Sequence, residues 1–69
     1  MISLKQARKS YGWTLQQLSD ATGITVANLH AIENGHQKPM RKTIYKIEKV
    51  TGPVIDWEET LLQGDFIFN

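Results

Sequence analysis

Residues 13–35 read Trp13-Thr14-Leu15-Gln16-Gln17-Leu18-Ser19-Asp20-Ala21-Thr22-Gly23-Ile24-Thr25-Val26-Ala27-Asn28-Leu29-His30-Ala31-Ile32-Glu33-Asn34-Gly35, and this stretch decides the fold. Thr14-x-x-Gln17 is the pattern of a capping box, in which each side chain satisfies the other residue's free backbone N–H. Trp13, just before it, can pack on Leu18 as a hydrophobic staple. The helix so opened runs from Leu15 to about Thr22 and stops at Gly23, a residue that enters the left-handed region without steric penalty. The same grammar then repeats. Thr25 can cap a helix from Val26 to about Glu33, Ile24 can staple to Leu29, and Asn34-Gly35 stops it. Leu29 and Ile32 form the inward stripe of this helix. The reading is therefore two short helices separated by a Gly-containing turn.

Outward from this pair the punctuation continues. Upstream, Ser3-x-x-Gln6 is a further capping box, opening a helix that presents Leu4, Ala7 and Tyr11 on one face and ends at Gly12. Downstream, His36-Gln37-Lys38-Pro39 reads as a loop, because Pro39 blocks helix continuation. A fourth helix is expected from about Arg41 to Thr51, with Ile44, Ile47 and Val50 inward, ended by Gly52-Pro53. Asp56-x-x-Glu59 opens a short fifth helix holding Trp57 and Leu61, and Gly64 ends it before the tail Asp65-Phe66-Ile67-Phe68-Asn69. The expected fold is all-α, and the Gly-separated pair at its centre describes a helix-turn-helix unit from local physics. There is no internal repeat and no low-complexity tract.

At 69 residues the chain has room for one domain. A domain of this size buries only about 60% of its unfolded surface, so the core is thin. With no cysteine there are neither disulfide staples nor thiolate metal sites, which suits a reducing cytoplasm. No stretch approaches the roughly 18 apolar residues of a membrane span, and Met1-Ile2-Ser3-Leu4-Lys5 does not open a signal peptide. The formal net charge is only +1, but it is segregated. Residues 1–49 hold all eight basic side chains (Lys5, Arg8, Lys9, Lys38, Arg41, Lys42, Lys46, Lys49) against Asp20, Glu33 and Glu48, a net +5. Residues 50–69 hold Asp56, Glu58, Glu59 and Asp65 and no base, a net −4. Such a distribution can place phosphate-binding charge on one side and partner-facing charge on another. A merely segregated solvated surface is the plainer alternative.

From Leu4 to about Leu62 the sequence resembles the Cro/C1-type (xenobiotic-response-element) helix-turn-helix family. The residues that carry the resemblance are Trp13-Thr14-Leu15-Gln16-Gln17-Leu18, Gly23-Ile24-Thr25, Leu29 and Ile32-Glu33-Asn34-Gly35, with Lys38-Pro39 and Thr51-Gly52 also at the family's spacing. The resemblance implies a compact five-helix bundle of the lambda-repressor-like DNA-binding type, with residues 1–63 as the DNA-binding domain and 64–69 as a short apolar tail. It implies a sequence-specific transcriptional regulator, repressor-like and dimeric, with the helix at about 26–33 in the major groove of a near-palindromic operator. Val26, Ala27 and Asn28 fall where family members contact base edges, with His30 and Ala31 one turn on. Asn28 could pair bidentately with adenine, and Val26 and Ala27 could touch thymine methyl groups. The plainer alternative for Asn28 is an ordinary solvated residue, and for Val26 and Ala27 plain helix filler. Phosphate contacts are expected from Gln16, Gln17, Thr25 and Asn34, and from Lys38, Arg41, Lys42 and Thr43 around the start of the fourth helix. One position departs from the family, which usually carries Gln directly after the second helix's Thr; here it is Leu15, giving a less polar DNA face.

Other chemistries find little support. His30-x-x-Glu33-x-x-His36 spans a helix end and Gly35, so its side chains need not converge on a metal. No catalytic constellation, phosphate-cradling loop or cofactor motif is present, and the expectation is a protein that is no enzyme and needs no cofactor. Tyr11, Trp13 and Trp57 read mainly as core or staple residues. Phe66, Ile67 and Phe68 cannot all face one thin core, which makes them, together with Trp57, the expected dimer interface. A tail folded back over the bundle is the alternative. A second functional reading also stands: the same fold as a protein-interaction module (antirepressor, repressor modulator or antitoxin), using the mildly apolar patch of Leu15, Val26 and Ala27 to bind a repressor or other protein.

Overall fold

The computed structural model describes residues 2–62, apart from the side chains of Glu59, Leu61 and Leu62. Over that range the chain is all-helical. Four helices, α1 (Leu4–Ser10), α2 (Leu15–Thr22), α3 (Val26–Glu33) and α4 (Arg41–Thr51), are followed by a six-residue α5 (Trp57–Leu62). The tail 64–69 and its Gly64 stop lie outside the described residues.

The starts of the first three helices follow from their caps. The Gln6 N–H donates to Ser3 Oγ at 3.2 Å while the Ser3 N–H donates to Gln6 Oε1 at 3.0 Å. Thr14 and Gln17 repeat this reciprocity at 3.1 and 2.8 Å. At α3 the Asn28 N–H donates to Thr25 Oγ1 at 3.1 Å. The ends are as well made. Beyond α3 the His36 N–H reaches back to Ala31 O at 2.8 Å and the Gly35 N–H to Ile32 O at 3.2 Å, the paired bonds of a Schellman stop. Between α2 and α3, Gly23 sits at φ +77°, where an L side chain would be strained.

Leu4 and Ala7 of α1, Leu18 of α2, Leu29 and Ile32 of α3, and Ile47 of α4 meet in one core with Ile24 and Ile55. Trp13, Leu15, Val50 and Trp57 pack against it while remaining partly exposed. α2 lies against both α3 and α4, and α5 covers parts of α1 and α3. Two expectations for the inner faces change. Tyr11 does not join Leu4 and Ala7 inside; it is the C-cap residue of α1, is 49% exposed, and stacks on Trp13 with ring centroids 4.6 Å apart. Its hydroxyl donates to Thr51 O at 2.9 Å, a partner that holds the ring over the end of α4 rather than under α1. Ile44 is half-buried, at the margin of the α4 stripe centred on Ile47.

Further long-range polar contacts lock the bundle at two places. Arg8 of α1 holds Glu33 of α3 through two bonds, Nε–Oε2 at 2.7 Å and Nη2–Oε1 at 3.1 Å, and its Nη1 donates to Trp13 O at 2.9 Å. The Glu33 side chain is 2% exposed and the Arg8 side chain 12%, so water screens this pair little. At the other end of the chain, Ile2 pairs in parallel with Ile55 as an isolated bridge, its N–H donating to Val54 O at 3.0 Å. The Leu4 N–H then donates to the buried Thr60 Oγ1 at 2.8 Å, and that hydroxyl donates to Asp56 O at 2.9 Å. These bonds fasten the beginning of the described chain to α5.

Candidate functional site

Helical periodicity divides α3 into two faces. Leu29, Ile32 and Glu33 are buried, while Ala27, Asn28 and His30 are exposed and Val26 and Ala31 lie between. The Arg8 clamp on Glu33, the Thr25 cap at one end and the stop at the other fix the rotation of this helix, so the outward set is decided by the inward one. Among the described residues the Asn28 carboxamide and the His30 imidazole have no hydrogen-bond partner within the chain, although the Asn28 backbone N–H is used by the Thr25 cap.

The residues expected to meet phosphate fall into two groups. The first is already engaged. Gln16 Nε2 donates to Asp20 Oδ1 at 2.9 Å, Gln17 Oε1 accepts from the Thr14 N–H, and Thr25 Oγ1 serves the helix cap. Asn34 is half-buried and donates from Nδ2 to His30 O at 2.8 Å. These side chains keep free lone pairs or protons, but their geometry is fixed by the scaffold. The second group surrounds the start of α4. Buried Pro39 seats the loop; Lys38, Arg41 and Lys42 are exposed, and Thr43 is half-buried. Arg41 and Lys42 make no ion pair among the described residues.

The start of α4 differs from the three before it. Its N-cap is Met40, 69% exposed, and no side chain accepts from the first turn. The first N–H groups of a helix carry partial positive charge and point outward, so an open start flanked by two cations suits an anion. The absence of a capping side chain at Met40 stands out beside the capped starts of α1, α2 and α3.

Other predicted positions lie elsewhere. Leu15 packs against the core, and Val26 is half-buried, so of the suggested apolar patch only Ala27 is exposed. Trp57 is half-buried against the core, and its Nε1–H points at Glu48 Oε2 at 3.4 Å. Phe66, Ile67 and Phe68 lie outside the described residues. The His30, Glu33, His36 triplet does not converge, because Glu33 is buried on Arg8 while both histidines are exposed; among the described residues no cluster has metal-holding geometry. Among the same residues no helix is long and apolar enough to cross a membrane.

Comparison with known proteins agrees with this geometry. The helix-turn-helix family model matches residues 4–54. The HTH-type transcriptional regulator SutR of Escherichia coli (strain K12) is 42% identical over 45 residues, which cover 65% of this chain and 25% of that protein. The uncharacterized HTH-type transcriptional regulators Mb0023 of Mycobacterium bovis and Rv0023 of Mycobacterium tuberculosis are each 34% identical over 50 residues, 72% of this chain and 20% of theirs. The chain thus spans a quarter or less of the length of these curated relatives. No solved structure gave a significant match.

Proposed function

This chain belongs to the helix-turn-helix family of the Cro/C1 type, and from that premise we propose that it is a sequence-specific, double-stranded-DNA-binding transcriptional regulator acting as a dimer. Residues 1–63 form the DNA-binding domain, a five-helix bundle of the lambda-repressor-like type, and α3 enters the major groove. The observation that carries this reading is the outward face of α3, where Asn28 and His30 project with unpaired polar groups from a helix locked by Glu33 on its other side.

In the mechanism, Asn28 reads adenine through its carboxamide, Val26 and Ala27 meet thymine methyl groups, and His30 and Ala31 contact the next bases. Thr25, Gln16, Gln17 and Asn34, held by their own intrachain bonds, set the register on the backbone. Lys38, Arg41, Lys42 and Thr43, with the open start of α4, supply most of the phosphate attraction. Trp57 and the tail 64–69, through Phe66, Ile67 and Phe68, form the interface with a second copy. Two recognition helices then read half-sites about 34 Å apart, one helical turn of DNA. Such a regulator acts in the cytoplasm, without cofactor or catalysis. The rival protein-binding reading loses support from the position of Leu15, which is turned against the core.

The test is selection from a randomised duplex pool at roughly physiological salt, followed by sequencing of what the protein retains. The expected result is an enriched, near-palindromic motif. A pool without enrichment would overturn the proposal and direct attention to a protein partner.

A further inference from the structure

The outer face of α4 carries more charge than the phosphate contacts assigned to its first turn require. At about 100° per residue, Arg41, Tyr45, Lys49, Lys42 and Lys46 fall in that order within one arc of about 140°. All five are exposed, Tyr45 by 63%. No carboxylate interrupts the arc. Glu48, at its border, is half-buried and faces the Trp57 indole. Among the described residues none of the four cations is ion-paired; the one contact is the Lys49 ammonium over the Tyr45 ring, 5.4 Å from its centroid. Four like charges so placed repel one another and weaken an isolated helix. A face of this kind is stabilised by whatever brings negative charge to it.

Resting on the DNA-binding reading above, we propose that this whole face of α4, including Tyr45, Lys46 and Lys49, is a track for the duplex backbone beyond the half-site read by α3. Two arguments favour a phosphate backbone over an acidic protein. Protein interfaces have apolar centres in which lysine is depleted, whereas this arc is three-quarters lysine among its charges and offers only one aromatic ring. The arc also begins at Arg41 and Lys42, beside the uncapped helix start, so an occupant of the first turn has a continuous row of cations along which to extend. Tyr45, with its ring held by Lys49, presents a phenolic O–H as a further donor to phosphate oxygen.

The experiment measures affinity for a duplex of about three helical turns, of arbitrary sequence, against salt concentration. Three proteins are compared: the wild type, Lys46→Gln/Lys49→Gln, and Lys5→Gln/Lys9→Gln. The last removes the same charge from α1, where no contact is assigned, and circular dichroism verifies that all three are folded. Each lost phosphate contact lowers the slope of log K on log salt by about 0.9. The α4 variant should therefore lose about 1.8 of slope, so that its affinity drop between about 50 and 200 mM salt is roughly tenfold smaller than that of the wild type. The α1 variant should keep nearly the full slope. Equal slopes for the α4 variant and the wild type, or equal losses in both variants, would overturn the proposal while leaving α3 recognition intact. A wild type that binds no duplex, but binds an acidic peptide through the same lysines, would overturn both readings.

Discussion

The first three helices and the fourth treat their polar groups in opposite ways. α1, α2 and α3 each begin on a Ser or Thr whose hydroxyl accepts a first-turn N–H, and the guanidinium of Arg8 is spent entirely inside the chain, on Glu33 and Trp13 O. α4 begins on a methionine that accepts nothing, and its Arg41 and three lysines are left without carboxylates among the described residues. In the first region polar groups satisfy one another and their product is rigidity. In the second they are left open, all with one sign, and their product is attraction for something outside. The difference separates scaffold from proposed contact surface more sharply than the net charge does, because a net +1 conceals both.

The largest effect should come from breaking the scaffold side of this comparison. Removing one partner of a buried ion pair leaves the other charge desolvated, at a cost of about 3–5 kcal/mol. A single core in a chain of this size rarely supplies more than that in total. Glu33→Ala should therefore be largely unfolded at room temperature, as followed by circular dichroism during urea titration. The double variant Arg8→Met/Glu33→Leu, which removes both charges and keeps the volume, should recover most of the loss. If Glu33→Ala unfolds at the wild-type urea midpoint, the clamp carries no weight and the contrast with α4 disappears.

Neither half of that clamp was visible from local grammar. The helix boundaries were, because capping boxes and glycine stops act within three or four residues; α2 and α3 begin and end where Thr14, Gly23, Thr25 and Asn34-Gly35 place them. Arg8 and Glu33 lie 25 residues apart and Leu4 and Thr60 lie 56 apart, and nothing in either neighbourhood names its partner. Helical spacing misplaced Tyr11 because it assumes the helix continues, whereas the chain turns away at that residue. For the site, the outward set on α3 could be read by subtracting the inward one, Leu29 and Ile32. The engagement of Gln16, Gln17 and Asn34 could be read only in part, since the Gln17 cap is local while the turn of Asn34 onto His30 O depends on how the helix ends.

A smaller effect should appear on the contact side. Asn28 has no role in the core, so Asn28→Ala should leave the urea midpoint close to that of the wild type. Loss of a bidentate pair with one base removes about 1–3 kcal/mol of discrimination. Selection from a randomised pool should then show relaxed preference at a single position in each half-site, with the remainder of the motif unchanged. An unchanged motif would remove Asn28 from the base-reading set and leave the open side of the comparison to α4 alone.

The smallest expected effect tests whether the open start of α4 is a contact or merely an imperfection. Met40 already has the extended backbone of an N-cap, φ −76° and ψ 159°, so a capping side chain can be introduced there without moving the chain. Met40→Ser and Met40→Asp should each stabilise the fold by about 1 kcal/mol, since either oxygen accepts a first-turn N–H. For a domain of this length that raises Tm by about 4–8 °C. On DNA the two should part. Serine adds no charge and can still donate its proton to phosphate, so duplex affinity should stay near the wild-type value. Aspartate places a negative charge where phosphate is expected, so affinity should fall severalfold, and more at low salt than at high. Equal affinities for the two variants would mean that no phosphate approaches this helix start, and that methionine there is only a missing cap.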